Sequence, residues 1–286
     1  MSYEKNALAI DVEEWFHICD EDITKVAGDI EKLPVRVVEN TKRIVRLLKE
    51  HNQRGTFFFV GWVAERYPEL VKYVAEEGFE IGCHSYSHDL IYKMDSKQFE
   101  EDLIKATDVI YRAAGVRPLG YRAPGFSIKR DMEWYFEILA KNQYRYDASV
   151  FPTYRAHGGI VSAPTYPYRI STRFGEILEF PQSVTGFSKF RICFSGGGYF
   201  RLLPLWFVKS QIRRMNSQDL PVLLYLHPRE IDPDQPRMRL SPLRYFKYYV
   251  NLSKTEDKFI EVLKTFEFST VLDTLEDFLN KEKSSN

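Results

Sequence analysis

Hydrophobic positions along the chain fall into two alternating kinds of segment. Short apolar runs cover Ala7 to Val12, Thr56 to Gly61, Phe79 to Cys83, Leu119 to Arg122, Tyr144 to Val150 and Val222 to His227. Between them lie amphipathic stretches, Val35 to Glu50, Ala64 to Glu77, Ser96 to Ala114, Asp131 to Lys141 and Trp206 to Asn216. Strand and helix in alternation imply parallel strands joined by helical crossovers. Asp11, His84, Arg122, Asp147 and His227 each sit at or just after the end of a predicted strand. An α/β fold closed into a distorted (β/α)7-8 barrel explains that placement better than an open sheet, because barrels assemble their sites from the carboxyl ends of their strands.

The alternation falters between Ser162 and Gly198, where Pro164, Pro167, Pro181 and a triple glycine break short β-like runs. Extra hairpins or loops over the barrel mouth are expected there. The polar end from Lys281 to Asn286 is expected to fray. With no repeat and no low-complexity linker, residues 1–286 are read as a single domain.

Composition narrows the function classes. The chain has 286 residues, 44% of them hydrophobic and 15% aromatic, enough for a large core without disulfides or metals. Its 40 basic and 40 acidic residues cancel, so no electrostatic footprint for nucleic acid is present. Cys19, Cys83 and Cys193 are scattered and unpaired by spacing, against a disulfide framework or a thiolate metal site. No basic segment leads into an apolar one at the N-terminus, and no run approaches a membrane span. A cytoplasmic protein without a transmembrane segment is expected, with contact at the cytoplasmic membrane face left open. Composition does not fix an oligomeric state.

The chemistry gathers in five places. His84-Ser85-Tyr86-Ser87-His88 sets two imidazoles four residues apart, where one helical turn brings both to a single cation. Asp11-Val12-Glu13 ends the first strand; Asp11 and Glu13 share a face, while Val12 and Glu14 point away. Glu14 is the competing carboxylate. Two histidines, one carboxylate and a spare carboxylate compose a hydrolytic metal centre with an open water position. Zinc suits this set first, and iron, cobalt, nickel or manganese fit it too. Tyr121-Arg122-Ala123-Pro124-Gly125 places a guanidinium at the same rim, able to hold a carboxylate ionised. Tyr146-Asp147-Ala148-Ser149-Val150-Phe151-Pro152 and Leu223-Leu224-Tyr225-Leu226-His227-Pro228 add an aspartate and a histidine at two further strand ends.

In this order, from about Leu8 to Pro228, these segments resemble the motifs of the NodB-homology polysaccharide deacetylases, carbohydrate esterase family 4. The tail, with GGGYFRLLP at Gly196 to Pro204, YLHPREIDPDQPR at Tyr225 to Arg237 and Tyr249-Val250-Asn251, resembles the exosortase-associated exopolysaccharide deacetylase subgroup. The resemblance makes 196–280 a subgroup-specific part of the same barrel. It implies hydrolysis of an N-acyl group on an amino-sugar glycan or on its lipid- or nucleotide-linked precursor. It also implies that Glu13, His84 and His88 bind the metal and that Asp11, held by Arg122, is the general base. His227, kept charged by Asp147, is then the general acid; the backbone N–H of Gly125 meets the oxyanion, and Leu226 shapes the acyl-methyl pocket. One departure concerns the acids: most members carry adjacent aspartates where this chain has Asp11-Val12-Glu13.

Three rivals remain from residue chemistry. The same centre suits an amidohydrolase acting on a cyclic imide, a ureide or a formamido sugar. Two histidines and a carboxylate also form the facial triad of non-haem iron oxygenases, but that leaves Asp11, Arg122 and His227 without roles. A non-catalytic glycan-binding protein would use the aromatics, among them Trp15, Phe16, Tyr154, Tyr166, Tyr168 and Phe187, for stacking.

Overall fold

A computed structural model of the chain describes residues 5–155, 157–187 and 190–285, with side chains described up to 281. Seven parallel strands run side by side in the order β10-β1-β2-β3-β4-β5-β7. They are β1 (Lys5–Val12), β2 (Thr56–Phe59), β3 (Glu80–Cys83), β4 (Gly120–Tyr121), β5 (Tyr146–Asp147), β7 (Gly175–Glu179) and β10 (Leu223–Leu226). An antiparallel strand, β6 (Tyr168–Thr172), flanks β7, and β11 (Glu267–Ser269) pairs with the start of β1. Helices connect the parallel strands, as the alternation predicts, except between β5 and β7, where β6 intervenes.

The period of two decides what each strand shows to each side. Leu8, Ile10 and Val12 face the helices with Phe57, Phe59, Ile81, Leu224 and Leu226. Ala7, Ala9, Phe58, Tyr146, Leu178, Leu223 and Tyr225 form the barrel interior, closed at one end by Val271, Leu275 and Phe278 of the last helix. Two interior positions are glycines because aromatic rings already occupy their space: a Cβ on Gly82 would stand 2.4 Å from the Phe58 ring, and one on Gly120 would stand 1.9 Å from that of Tyr146. Small residues below leave the upper interior to Asp11, Glu13, His84, Arg122 and His227, the next positions on the same face.

Helix boundaries follow local chemistry. The stretch expected as one helix from Ala64 to Glu77 is two, Gly61–Arg66 and Pro68–Glu76, since Pro68 forces Tyr67 out of the helical region, to φ −129 and ψ 59. Ser96–Ala114 starts on a capping box of Asp95 and Gln98 and stops at left-handed Gly115.

The region from Ser162 to Gly198 is only partly the loop cover that its prolines suggest. Gly175–Glu179 is a barrel strand, pairing in parallel with β5. Because β7 runs with its neighbours, the β6–β7 turn between Thr172 and Gly175 lies at the N-terminal end of the barrel, away from the mouth. Pro164, Pro167 and Pro181 flank these strands instead of interrupting them, so they do not break the pairing. A second, short hairpin joins β8 (Val184–Thr185) to β9 (Ile192–Cys193).

No ladder of strand pairs joins β7 to β10. The gap is bridged by side chains: Gln182 Nε2 donates to Leu223 O at 3.1 Å and to Ser195 Oγ at 2.6 Å, and Leu223 N donates to Ser183 Oγ at 2.9 Å. Tyr225 N adds one backbone bond to Ser195 O at 2.9 Å.

Candidate active site

At the carboxyl ends of these strands lies a cavity of about 290 Å³, lined among others by Asp11, Glu13, His84, His88, Gly125, Tyr225 and His227. Glu13, His84 and His88 offer one oxygen and two nitrogens within 4.8 Å of one another, a donor set that fits a divalent cation. His84 Nδ1 lies 2.6 Å from the carbonyl of Arg122; donating there fixes the tautomer that leaves Nε2 free as a ligand. Burial pulls the His84 imidazole down to about 4, so it is neutral and available to a metal at neutral pH. Burial opposes the Glu13 charge, yet His88, 2.5 Å away, and His227 hold this carboxyl well below the usual range.

The two histidines do not share a helical turn. His84 directly follows β3, and 85–88 form a bent loop in which Ser85 and His88 have positive φ, 64° and 62°. Asp102, on the helix Ser96–Ala114, shapes that loop by accepting from Ser85 Oγ and Tyr86 N at 2.8 Å each and from Ser87 N at 2.9 Å. The sequence carries no local sign of Asp102, since it lies outside every motif. His17 was also missed; it stacks on His88 with ring centroids 5.3 Å apart.

Asp11 meets Arg122 Nε through both oxygens, at 3.0 and 3.1 Å. Arg122 is fully buried, donates to Ala148 O at 2.8 Å and Gln182 Oε1 at 3.3 Å, and lies between the rings of Phe126 and Tyr225. These contacts hold the guanidinium against Asp11. His227 Nε2 stands 3.5 Å from Glu13 and 3.9 Å from Asp11, across the same opening.

Two residues lie elsewhere than their motifs suggest. Asp147 pairs in register with outward-facing Tyr121, while Tyr146 takes the interior. Its carboxylate accepts from Tyr135 OH at 2.7 Å and Ser149 Oγ at 2.6 Å, on the helix side of the sheet and not beside His227. The acid at His227 is Glu230, whose Oε2 lies 3.3 Å from Nδ1 and whose Oε1 accepts from Arg201 Nε at 2.9 Å. Burial disfavours the His227 cation, but Glu13, Glu230 and Asp11 outweigh it and raise its pKa. Burial also opposes the Glu230 charge, yet Arg201 and His227 lower its pKa to about 2. Glu230 follows His227 by three residues, so the HPRE run already contained it. Leu226 packs outward against the helices, and Tyr225, inward like His227, lines the cavity in its place. Glu14 points away as alternation requires, accepting from the backbone N–H groups of Trp15, Arg36 and Val37.

Residues 27–146 match the family model for polysaccharide deacetylase, and residues 148–276 match a domain of unknown function, DUF3473. A peptidoglycan-N-acetylglucosamine deacetylase of Bacillus cereus is 37% identical over 98 residues, 34% of this chain and 36% of that protein. The chain spans about a third of the length of the curated relatives it matches. Among solved structures, a protein designated a polysaccharide deacetylase from Mycobacterium smegmatis superimposes with a TM-score of 0.64 at 18% identity, covering 98% of this chain and 92% of that one. Puue allantoinase gives 0.61 at 18% identity, covering 96% and 90%. At these identities the likeness concerns fold: a mixed α/β barrel of the NodB type.

Proposed function

We propose that this protein is a metal-dependent hydrolase that removes an N-acyl group, acetyl in the first instance, from an amino sugar. The observation that carries the proposal is the convergence, in one cavity, of Glu13, His84 and His88 with an Arg122-held Asp11 and a Glu230-held His227. The match of 27–146 to polysaccharide deacetylase supports the substrate class, and 148–276 is read as the remainder of the same catalytic barrel, in 1–286 as one domain. The tail motifs around Gly196 and Tyr225 support the narrower assignment to exopolysaccharide deacetylases. No helix among the described residues is long and apolar enough to cross a membrane, and the cysteines are free, which supports action in the cytoplasm or at its membrane face.

Glu13, His84 and His88 would hold the metal, zinc before iron, cobalt, nickel or manganese. When bound, a divalent cation supplies Lewis acidity toward an acyl oxygen and lowers the pKa of water. Asp11 takes the proton of the attacking water, its carboxylate kept ionised and oriented by Arg122. The N–H of Gly125, at the cavity wall, faces the developing oxyanion. His227 delivers a proton from Nε2 to the departing amine, while Glu230 steadies Nδ1.

Acetate release from N-acetylated oligosaccharides by metal-loaded, metal-stripped and reconstituted protein tests the proposal. Activity lost with the metal and restored by it is expected. A protein holding a full complement of metal and releasing no acid from amino-sugar amides would refute it.

A further inference from the structure

The chain as a whole is neutral, yet the wall of the catalytic cavity is not. Of the charges lining it, Asp11 is answered by Arg122 behind it, Glu230 by Arg201, and Arg244 by Glu21. Arg229, which is buried, Arg155, which is half-buried, and Lys247, which is exposed, line the same cavity and make no ion pair among the described residues. Three different segments bring them there: the loop after β5, the turn after β10 and the helix Pro242–Tyr249.

Arg229 is the most telling of the three. It is 6% exposed, and its plane lies 3.4 Å from the centre of the Tyr248 ring. Nη1 donates only to Tyr248 O, at 3.3 Å, and Nε has no acceptor. Arg155 packs against the adjoining rings of Phe126, at 4.7 Å, and Phe151, at 4.9 Å, and its Nε likewise lacks an acceptor. Burying a guanidinium without an anion is costly, because the charge loses water and gains no partner. Aromatic rings orient both forks without satisfying them. Guanidinium groups oriented by packing and left without an anion are the usual recognition elements for phosphate or carboxylate oxygens.

We infer that Arg155, Arg229 and Lys247 form an anion subsite beside the hydrolytic centre, so that the amino sugar acted on carries a phosphate or carboxylate group. The inference rests on the proposed deacetylation for the identity of the sugar, but the subsite itself does not depend on turnover. A pyrophosphate linkage to a lipid or nucleotide supplies the phosphate, and a neighbouring uronic acid supplies the carboxylate.

The test has a binding arm and a kinetic arm. Calorimetric titration of inorganic pyrophosphate into metal-free and zinc-loaded protein should show binding to both forms. Arg155→Gln and Arg229→Gln should each weaken it roughly tenfold or more, as expected for loss of a charge-assisted contact. Thermal melting identifies a variant that fails to fold, in which case Arg155→Gln and Lys247→Gln carry the comparison. Binding that needs zinc, or that survives the substitutions in folded protein, overturns the subsite. The kinetic arm compares kcat/KM for a neutral N-acetylglucosamine oligomer, the same sugar on a polyprenyl pyrophosphate or on uridine diphosphate, and an oligomer containing glucuronate. Preference for a pyrophosphate-linked sugar assigns phosphate, and preference for the glucuronate oligomer assigns carboxylate. Equal rates on all of them overturn the inference while leaving deacetylation standing. Pyrophosphate bound at these cations without acetate release from any substrate does the reverse.

Discussion

Asp11 and Glu13 share one face of β1 and divide two tasks according to their partners. Asp11 has a permanent cation in Arg122, and Glu13 has only imidazoles, which on the proposed reading makes the first the base and the second a ligand. Asp11→Asn is expected to keep its metal and to lose about a hundredfold to ten-thousandfold in kcat, the usual worth of a general base. Metal analysis beside the rate measurement decides it, since loss of both would make Asp11 a ligand. His84→Ala and His88→Ala should both lose metal, whereas Glu14→Ala should retain it and instead lower the melting temperature, because three backbone donors lose their acceptor. Glu230→Gln should slow sugar amides much more than activated amides whose amine leaves without a proton. Equal slowing of both classes would remove Glu230 from the protonation step. Asp147→Asn should leave that ratio unchanged, as its carboxylate is on the other side of the sheet.

At the scale of elements, the loop from Ser85 to His88 depends on a residue fourteen positions beyond it. Asp102 accepts three donors from that loop, so Asp102→Ala should free His88 and weaken metal binding about 10- to 100-fold, as loss of a supporting contact commonly does. A competition titration against a chelator measures the change. The contrast with Asp11 shows what could be read in the chain. Asp11, Glu13, His84, Arg122 and His227 were visible because strand alternation and strand ends are local patterns, and those patterns also identified most helices within a few residues. Alternation turns Asp11 and Glu13 inward, and the same rule turns Leu226 outward beside inward His227. Asp102 is hidden for a different reason: its partners, Ser85 to Ser87, are distant in sequence, and it lies outside every motif. Strand β7 escaped notice because nearby prolines suggested a break where they only bound the strand.

Across the whole molecule, the outward-facing acids create a pH-dependent load. Asp147 and Glu179 are register neighbours on β5 and β7, both fully buried. Burial, and then the charge of Asp147, raise the Glu179 carboxyl well above its ordinary range, so Glu179 keeps the proton. A carboxyl raised by folding lends stability that is fully present below its unfolded value and is lost as pH climbs through its folded one. Denaturation midpoints should therefore fall as pH climbs above the ordinary carboxylate range, and Glu179→Gln should flatten that decline. A variant with the wild-type slope would mean that other groups carry it. The joint between β7 and β10 has a further consequence. Everywhere else the ring is held by strand pairs, which a point substitution hardly disturbs, but here one amide side chain, two hydroxyls and a single backbone bond span the gap. Gln182 also touches Arg122, so the fastening of the ring and the seating of Arg122 share a residue. A substitution there would disturb the closure of the barrel and the partner of Asp11 together.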